Sequence, residues 1–166
     1  MSSAAEPAAR VHERLLELGA TVAVAESLTG GLLTAELTAI PGASATVRGG
    51  LVVYATDLKS SLAGVEEHLL AARGPVDPDV AAALANGVRH RLAATYGVAV
   101  TGVAGPDRQG GQAVGTVFAA VSGPAGVTGA AWALPGGREQ IRAAAVAGCV
   151  ALLLAELDRA AGALTH

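Results

Sequence analysis

The chain has 166 residues, a net charge of −3 and a mean hydropathy of +0.49. This acidic balance, with only four aromatic residues, offers neither the cationic face nor the stacking rings that nucleic-acid binders use. The length is sufficient to bury a core, and residues 1–166 are predicted to form one domain.

Helices and strands alternate through the first half of the chain. Apolar spacing predicts a helix over residues 5–18, a strand buried on both faces over 21–25, and a helix over 29–40. A second strand is expected over 49–55, and a short helical stretch follows it near 57–63.

The clearest helix begins at Asp77, which suits an N-cap, with Pro78 at the first helical position and Gly97 as the stop signal. The remaining predicted elements are a strand over 97–105, a hairpin of strands 114–121 and 127–134, and a final helix over 138–161. This order predicts a layered α/β fold in which the late hairpin adds antiparallel strands.

Composition and spacing also bear on the location of the protein and on whether it has a membrane span, a metal or a cofactor. The apolar run Ala143–Ala155 is shorter than the roughly 20 residues that a membrane span needs, so a buried helix is expected there. Charges near the N-terminus argue against an export signal, which favours a cytoplasmic protein without a membrane partner. The single Cys149 and the scattered histidines have no metal-ligand spacing, so neither a metal nor a cofactor is predicted.

Three predicted strands end in chemically suggestive segments. The sequences "ESLTGG", "YATDLK" and "TGVAGP" follow the first, second and third strands. Because ligands gather at the carboxyl ends of strands in such folds, these segments are expected to form one site.

The segment "ESLTGG" combines two hydroxyls with two glycines. If Ser27 or Leu28 begins a helix, its free N–H groups suit a phosphate or the oxyanion of an acyl-transfer intermediate, and Gly30 and Gly31 allow close approach. Ordinary capping by Ser27 or Thr29 explains the same residues equally well.

Lys59 is the one lysine beside ten arginines. Arginine cannot lose a proton near neutral pH, whereas a desolvated lysine can, and serine paired with a lysine base is a known nucleophile arrangement. Tyr54 lies five residues earlier, where it could steer Lys59. The alternative is a solvated lysine in an arginine-rich composition.

Other candidates are less distinctive. Ser44 lies in a loop before the second strand, where serines usually bond their own backbone. The glycine-rich "TGVAGPDRQGG" matches neither common phosphate-loop pattern, so a wide turn and a nucleotide-wrapping loop both remain open. Arg138 and Arg142 lie one helical turn apart and could clamp a phosphate, although Arg142 could also pair with Glu139.

Taken together, "AESLTGG", "GLVVYATDLKSSLAGV" and "VTGVAGPDRQGGQAVGTVFAAV" resemble the CinA C-terminal domain family, the nicotinamide-mononucleotide amidohydrolases. The resemblance covers roughly residues 6–160 and suggests a stand-alone form. It implies a three-layer α/β/α sandwich with a mostly parallel sheet plus an antiparallel hairpin. It also implies hydrolysis of the carboxamide of nicotinamide mononucleotide to nicotinic acid mononucleotide and ammonia by a Ser–Lys mechanism.

Matched motif by motif, the resemblance assigns roles to individual positions. The implied catalytic residues are Ser27, Lys59, Tyr54 and Ser44, with either serine as the nucleophile and with Ser44 and Tyr54 orienting Lys59. The implied substrate-binding residues are Thr29, Gly30, Gly31, Thr101, Gly102, Gly105, Arg142 and Arg138. Leu28 stands where the family commonly has cysteine, and "GPDRQGG" departs from the family's usual glycine-rich continuation.

The expected partner is a small nucleotide substrate, and the long Ala/Leu helix suggests a possible homodimer or higher oligomer. A non-catalytic pyridine-nucleotide-binding module with the same fold is the alternative function. A kinase-like enzyme that uses a nucleoside triphosphate and Mg²⁺ is a third interpretation.

Overall fold

The computed structural model describes residues 5–165. Within this range five strands form one sheet in the order β2-β1-β3-β4-β5, in which β1, β2 and β3 are parallel and β4 and β5 are each antiparallel to their neighbours. The strands are β1 (Val22–Glu26), β2 (Val47–Val52), β3 (Tyr96–Gly102), β4 (Thr116–Gly123) and β5 (Gly126–Ala133).

Helices cover both faces of this sheet. Those described by the structure are α1 (Ala5–Glu17), α2 (Leu32–Thr38), α3 (Thr56–Ser61), α4 (Glu67–Arg73), α5 (Pro78–Arg91) and α6 (Arg138–Ala163), with a 3₁₀ turn at Ala43–Ala45. Buried side chains of α1, α2 and α6 form one core cluster with the sheet, and those of α4 and α5 form another on the opposite face. The α/β sandwich with an antiparallel hairpin is therefore confirmed.

The two faces of the sheet differ in side-chain size. In β1, Val22 and Val24 pack toward α1 and α6, whereas Ala23 and Ala25 pack toward α5, as the alternation of a strand requires. The small side chains let α5 approach the sheet closely. At Gly97 of β3, an added Cβ would collide with the backbone oxygen of Ala85 in α5.

Several element boundaries differ from the sequence prediction, and those of α2 and β2 lie next to the site. Helix α2 begins at Leu32 rather than near residue 29, because Gly30 and Gly31 have φ angles of 58° and 105°, which are incompatible with a right-handed helix. Strand β2 covers Val47–Val52, earlier than the predicted 49–55. Helix α4 was not predicted, because seven residues with Leu70 as the one buried position give too short an apolar pattern.

Helix α6 is long and apolar enough to cross a membrane by length and composition, with a mean hydropathy of 1.6 over 18 residues. However, it places a stripe at every fourth residue in the core, namely Ile141, Ala145, Cys149, Leu153 and Leu157. This stripe is typical of a helix that covers a sheet.

Two helical glycines allow a matched test of how closely α5 packs. A Cβ at Gly87 would collide with the backbone oxygen of Ala63, whereas a Cβ at Gly162 in α6 would have no neighbour within 4 Å. We expect Gly87→Ala to lower the free energy of unfolding by about 1–3 kcal/mol. Gly162→Ala should leave it unchanged or raise it by about 0.5 kcal/mol. Urea denaturation measures both, and equal effects of the two substitutions would contradict the close packing of α5.

Candidate functional site

The site lies at the carboxyl end of β1, where the order of the sheet changes direction. Strand β1 lies between β2 and β3, and the chain crosses one face through α2 and the opposite face through α5. Such a switch point opens a crevice outside the strand ends. The prediction that the segments after β1, β2 and β3 converge is confirmed by a cleft of about 100 Å³. Its lining is Ser27, Leu28, Tyr54, Gly102, Val103, Ala104, Gly105, Asp107, Gln109 and Arg138.

Lys59 is the largest of the fully buried side chains, with 1% of its surface exposed. Helix α3 begins four residues after β2 ends, so its first turn directs Lys59 back under the strand end. Its Nζ donates to the carbonyl oxygens of Val53 at 2.7 Å and Tyr54 at 3.4 Å, and lies 3.2 Å from Ser27 Oγ. The structure therefore brings together Ser27 and Lys59, which are 32 residues apart.

Burial determines the charge of this amine. Desolvation lowers the pKa of Lys59 to about 8, and among residues 5–165 no carboxylate forms an ion pair with it. The protonated amine has three donors for three acceptors. After losing a proton, Nζ still donates to the two carbonyls and its lone pair can accept the Ser27 hydroxyl. The amine therefore has hydrogen-bond partners in both its protonated and its neutral form.

Ser27 is held in the turn between β1 and α2. Its N–H donates to Val100 O in β3 at 3.1 Å, and its own carbonyl accepts from Gly30 N at 3.0 Å. These two bonds fix the backbone while the hydroxyl faces Lys59 with 8% of the residue exposed. Ser27 therefore has the fixed backbone and the adjacent base of an activated nucleophile.

The Tyr54 hydroxyl forms no hydrogen bond with Lys59. The Tyr54 hydroxyl instead accepts from Arg138 Nη2 at 3.1 Å, and the side chain is 59% exposed at the cleft. Tyr54 orients Lys59 through its main-chain carbonyl. The expectation that the side chain steers the amine is corrected accordingly.

Ser44 lies at the opposite end of β2 from the site. It is exposed in the 3₁₀ turn before that strand, and the six residues of β2 then extend about 20 Å toward the Lys59 edge. Within this chain the structure does not place Ser44 near Lys59, so Ser44 does not have the predicted role of orienting the amine. Ser44 and Lys59 are close in sequence but distant in space, because the extended strand β2 lies between them.

Glu26 is a buried residue of this region to which the sequence prediction gave no role. Its carboxylate is fully buried and accepts from the Thr29 hydroxyl at 2.6 Å and from the N–H groups of Gly31 and Leu33 at 3.2 and 2.9 Å. It also accepts from the N–H and the hydroxyl of Thr34. The one signal in the sequence was an acid at the end of an otherwise apolar strand.

This carboxylate changes the predicted role of the α2 N-terminus. The Thr29 hydroxyl and the Gly31 N–H were expected to face substrate, but both donate to Glu26, and the Gly30 N–H donates to Ser27 O. In the described part of the chain, the N–H groups of Leu28 and Thr29 donate to no protein acceptor. Two N–H groups directly after Ser27 are therefore left without a protein partner in this turn.

The two arginines of α6 have different surroundings. Arg142 donates to Leu28 O at 3.0 Å and to Thr29 O at 3.4 Å, and a Cβ on Gly30 would lie 3.3 Å from its Nη2. Arg142 therefore braces the Ser27 turn from outside rather than facing a phosphate. Arg138 lines the cleft, where Nη1 donates to Gly105 O at 2.7 Å.

The glycine-rich segment after β3 forms one wall of the cleft. Gly102 and Gly105 line it as predicted, whereas the hydroxyl of Thr101 is buried and donates to Pro75 O at 2.7 Å. Asp107 and Gln109 also line this wall, and neither was singled out from the sequence. Across the described residues no group of three or more His, Cys, Asp or Glu side chains is placed to hold a metal ion.

Comparison with known sequences identifies the family of the chain. A family model for the CinA C-terminal domain matches residues 4–157. A CinA-like protein of Frankia casuarinae is 53% identical over 139 residues, which are 84% of this chain and 32% of that protein. One from Anaeromyxobacter sp. strain Fw109-5 is 47% identical over 137 residues, 81% of this chain and 33% of that protein. The chain spans about a third of the length of these curated relatives.

Solved structures show the same fold. The crystal structure of the competence/damage inducible protein CihA from Agrobacterium tumefaciens has a TM-score of 0.90 at 36% identity, covering 95% of this chain and 97% of that one. A CinA superfamily protein from Klebsiella pneumoniae has a TM-score of 0.91 at 27% identity, covering 95% and 99%. Because the family model matches most of the length of this chain, the chain belongs to the CinA C-terminal domain family.

Proposed function

We propose that this chain hydrolyses the carboxamide of nicotinamide mononucleotide to nicotinic acid mononucleotide and ammonia, with Ser27 as nucleophile and Lys59 as general base. The observation that carries the proposal is the buried Lys59 Nζ, 3.2 Å from Ser27 Oγ and without an ion-pair partner among the described residues. This pair supports acyl transfer as the reaction class. The family resemblance supports the choice of substrate.

The first step forms a bond between Ser27 Oγ and the carboxamide carbon. Neutral Lys59 accepts the Ser27 proton as the oxygen attacks, and the carbonyl oxygen becomes an oxyanion. The N–H groups of Leu28 and Thr29 stabilise that charge, at about 3 kcal/mol for each well-placed donor. The new ammonium of Lys59 is held by the carbonyls of Val53 and Tyr54.

The second step breaks the carbon–nitrogen bond. Lys59 returns its proton to the departing nitrogen, which leaves as ammonia, and the acid remains bound to Ser27 as an ester. A water molecule then gives a proton to Lys59 and attacks the ester carbon. Proton return to Ser27 releases nicotinic acid mononucleotide and restores the starting state.

The rest of the cleft supports binding of an anionic nucleotide. Arg138 is the cation that lines it, and its guanidinium suits a phosphate. Asp107 and Gln109 lie on the wall formed by the glycine-rich segment and could bind the hydroxyls of a ribose. We expect residues 1–166 to act as one unit on a small-molecule substrate in the cytoplasm; residues 1–4 and 166 lie outside the described structure.

Substitution of the two reacting side chains is the direct test. Ser27→Ala and Lys59→Met should each lower kcat for ammonia release from nicotinamide mononucleotide by about 10³-fold, because one lacks the nucleophile and the other the base. Lys59→Arg should be equally impaired, since a guanidinium keeps its proton. Ser61→Ala on the exposed end of α3 is the matched control and should retain activity. Ammonia is measured with a coupled enzymatic assay.

Two outcomes of this assay would contradict the scheme. Loss of turnover in Ser44→Ala with full activity in Ser27→Ala would assign the nucleophile to the other serine. Tight nucleotide binding without ammonia release by the unsubstituted protein would favour the non-catalytic binding module.

The pH dependence of the reaction follows from the lowered pKa of Lys59. The base acts in its neutral form, so kcat/KM should rise tenfold per pH unit below about 8 and level off above it. At pH 7 the value should be about a tenth of the plateau. Initial rates between pH 6.5 and 9.5, with circular dichroism as a check on folding, measure the profile. A profile that is flat or falls across this range would exclude Lys59 as the base.

Arg138 should determine affinity for the phosphate rather than the chemical step. We expect Arg138→Met to raise KM for nicotinamide mononucleotide about tenfold, with a smaller effect on nicotinamide riboside, which lacks the phosphate. Arg159→Met, in the same helix but paired with Glu156, is the control. Equal effects of Arg138→Met on the two substrates would rule out a phosphate contact.

A further inference from the structure

The Glu26 carboxylate lies one residue before Ser27 and is fully enclosed by donors. Oε1 accepts from Thr29 Oγ1, Gly31 N and Leu33 N, and Oε2 accepts from Thr34 N and Thr34 Oγ1 at 2.8 and 2.6 Å. Each neighbour is a donor, which is the arrangement that an ionised carboxylate satisfies and an amide does not.

These bonds span the turn that carries Ser27. The carboxylate belongs to the last residue of β1, whereas its donors belong to the end of the turn and the first residues of α2. Ser27 and Leu28 therefore lie in a turn whose two flanking segments, the end of β1 and the start of α2, are linked by the Glu26 side chain. Gly30 and Gly31, both in the left-handed region, are the most flexible residue type in this turn, and the bonds to Glu26 add to those that restrict them.

Glu26 is also connected to the base through its main chain. Its carbonyl accepts from Val53 N at 2.8 Å, and the Val53 carbonyl accepts from Lys59 Nζ at 2.7 Å. The strand end thus fixes the lysine while the carboxylate fixes the serine turn. The carboxylate itself does not line the cleft, so it does not contact a substrate bound there.

We infer that Glu26 is a positioning residue of the proposed amidase, whose buried carboxylate anchors the N-terminus of α2 and so holds Ser27 and the Leu28 and Thr29 amides in register with Lys59. This inference rests on the proposed function. In this arrangement the Glu26 carboxylate occupies the helix end at which a substrate phosphate was expected. Glu26 therefore influences the chemical step rather than the affinity for substrate.

The test replaces the carboxylate by an amide of the same shape. Glu26→Gln should lower kcat about 10–100-fold with KM within threefold of its original value, and the rise of kcat/KM with pH should keep its midpoint near 8. Glu36→Gln, which removes a charge from the same helix without removing a hydrogen bond to Glu26, is the matched control. Leu33→Ala controls for a general loss of stability, because Leu33 is buried in α2.

A second readout is independent of the natural substrate. The rate at which a fluorophosphonate labels Ser27 should fall in Glu26→Gln by a factor similar to that for kcat. If the unsubstituted protein labels at Ser27 but does not hydrolyse nicotinamide mononucleotide, the proposed substrate fails while the role of Glu26 is still measured. If Glu26→Gln does not fold, Thr34→Val, which removes one donor, carries the test and should lower both rates about threefold to tenfold.

Three results would overturn the inference. The first is wild-type kcat and labelling in a folded Glu26→Gln protein. The second is a loss no greater than that in Leu33→Ala at equal stability. The third is a rise in KM with kcat unchanged, which would place Glu26 in substrate binding.

Discussion

The desolvation of one amine determines the chemistry of this site. Lys59 is enclosed at the end of β2 with three oxygen acceptors and no ion-pair partner in the described range, so burial disfavours its charged form. A carboxylate in place of any one of these acceptors would stabilise the ammonium and raise its pKa. The chain instead uses main-chain carbonyls, which hold the amine in either protonation state. A neutral amine beside a serine hydroxyl is the condition for the proposed reaction.

Two other charged residues near the site bind the turn that carries Ser27. Glu26 is enclosed by the donors of α2, and Arg142 is bonded to the carbonyls of Leu28 and Thr29 on the outside of the same turn. Both residues hold the turn, and in the described range the Glu26 carboxylate forms no ion pair with Lys59. Arg138 extends into the cleft, where its position between Tyr54 and Gly105 leaves a cation at the cleft wall. In the described range the Lys59 amine thus has only uncharged hydrogen-bond partners, whereas the Arg138 guanidinium is available at the cleft wall.

The sequence was sufficient for the fold and for Lys59, but it left Ser27 and Ser44 as alternatives and did not predict the surrounding contacts. Three strand ends that converge follow from the α/β pattern, and a lone lysine indicated the base. By contrast, a hydroxyl and two glycines after a strand are equally compatible with a ligand site and with a self-capped turn. Arg138 and Arg142 differ by one helical turn, and the packing of α6 on the sheet decides which of them reaches the cleft. Neither choice is encoded in local spacing.

The alternation of side chains along β1 explains how an acid and the proposed nucleophile can be adjacent in sequence yet point to opposite sides of the sheet. Val22 and Val24 face the core of α1, α2 and α6, and Glu26 continues this series toward α2. Ala23 and Ala25 face the core of α5, and the next position in that series is Ser27, which contacts Lys59 of α3. A shift of one residue in this strand would turn the carboxylate toward the amine and the hydroxyl toward α2. The ammonium would then be stabilised and the nucleophile lost, so the register of a five-residue strand controls both partners of the pair.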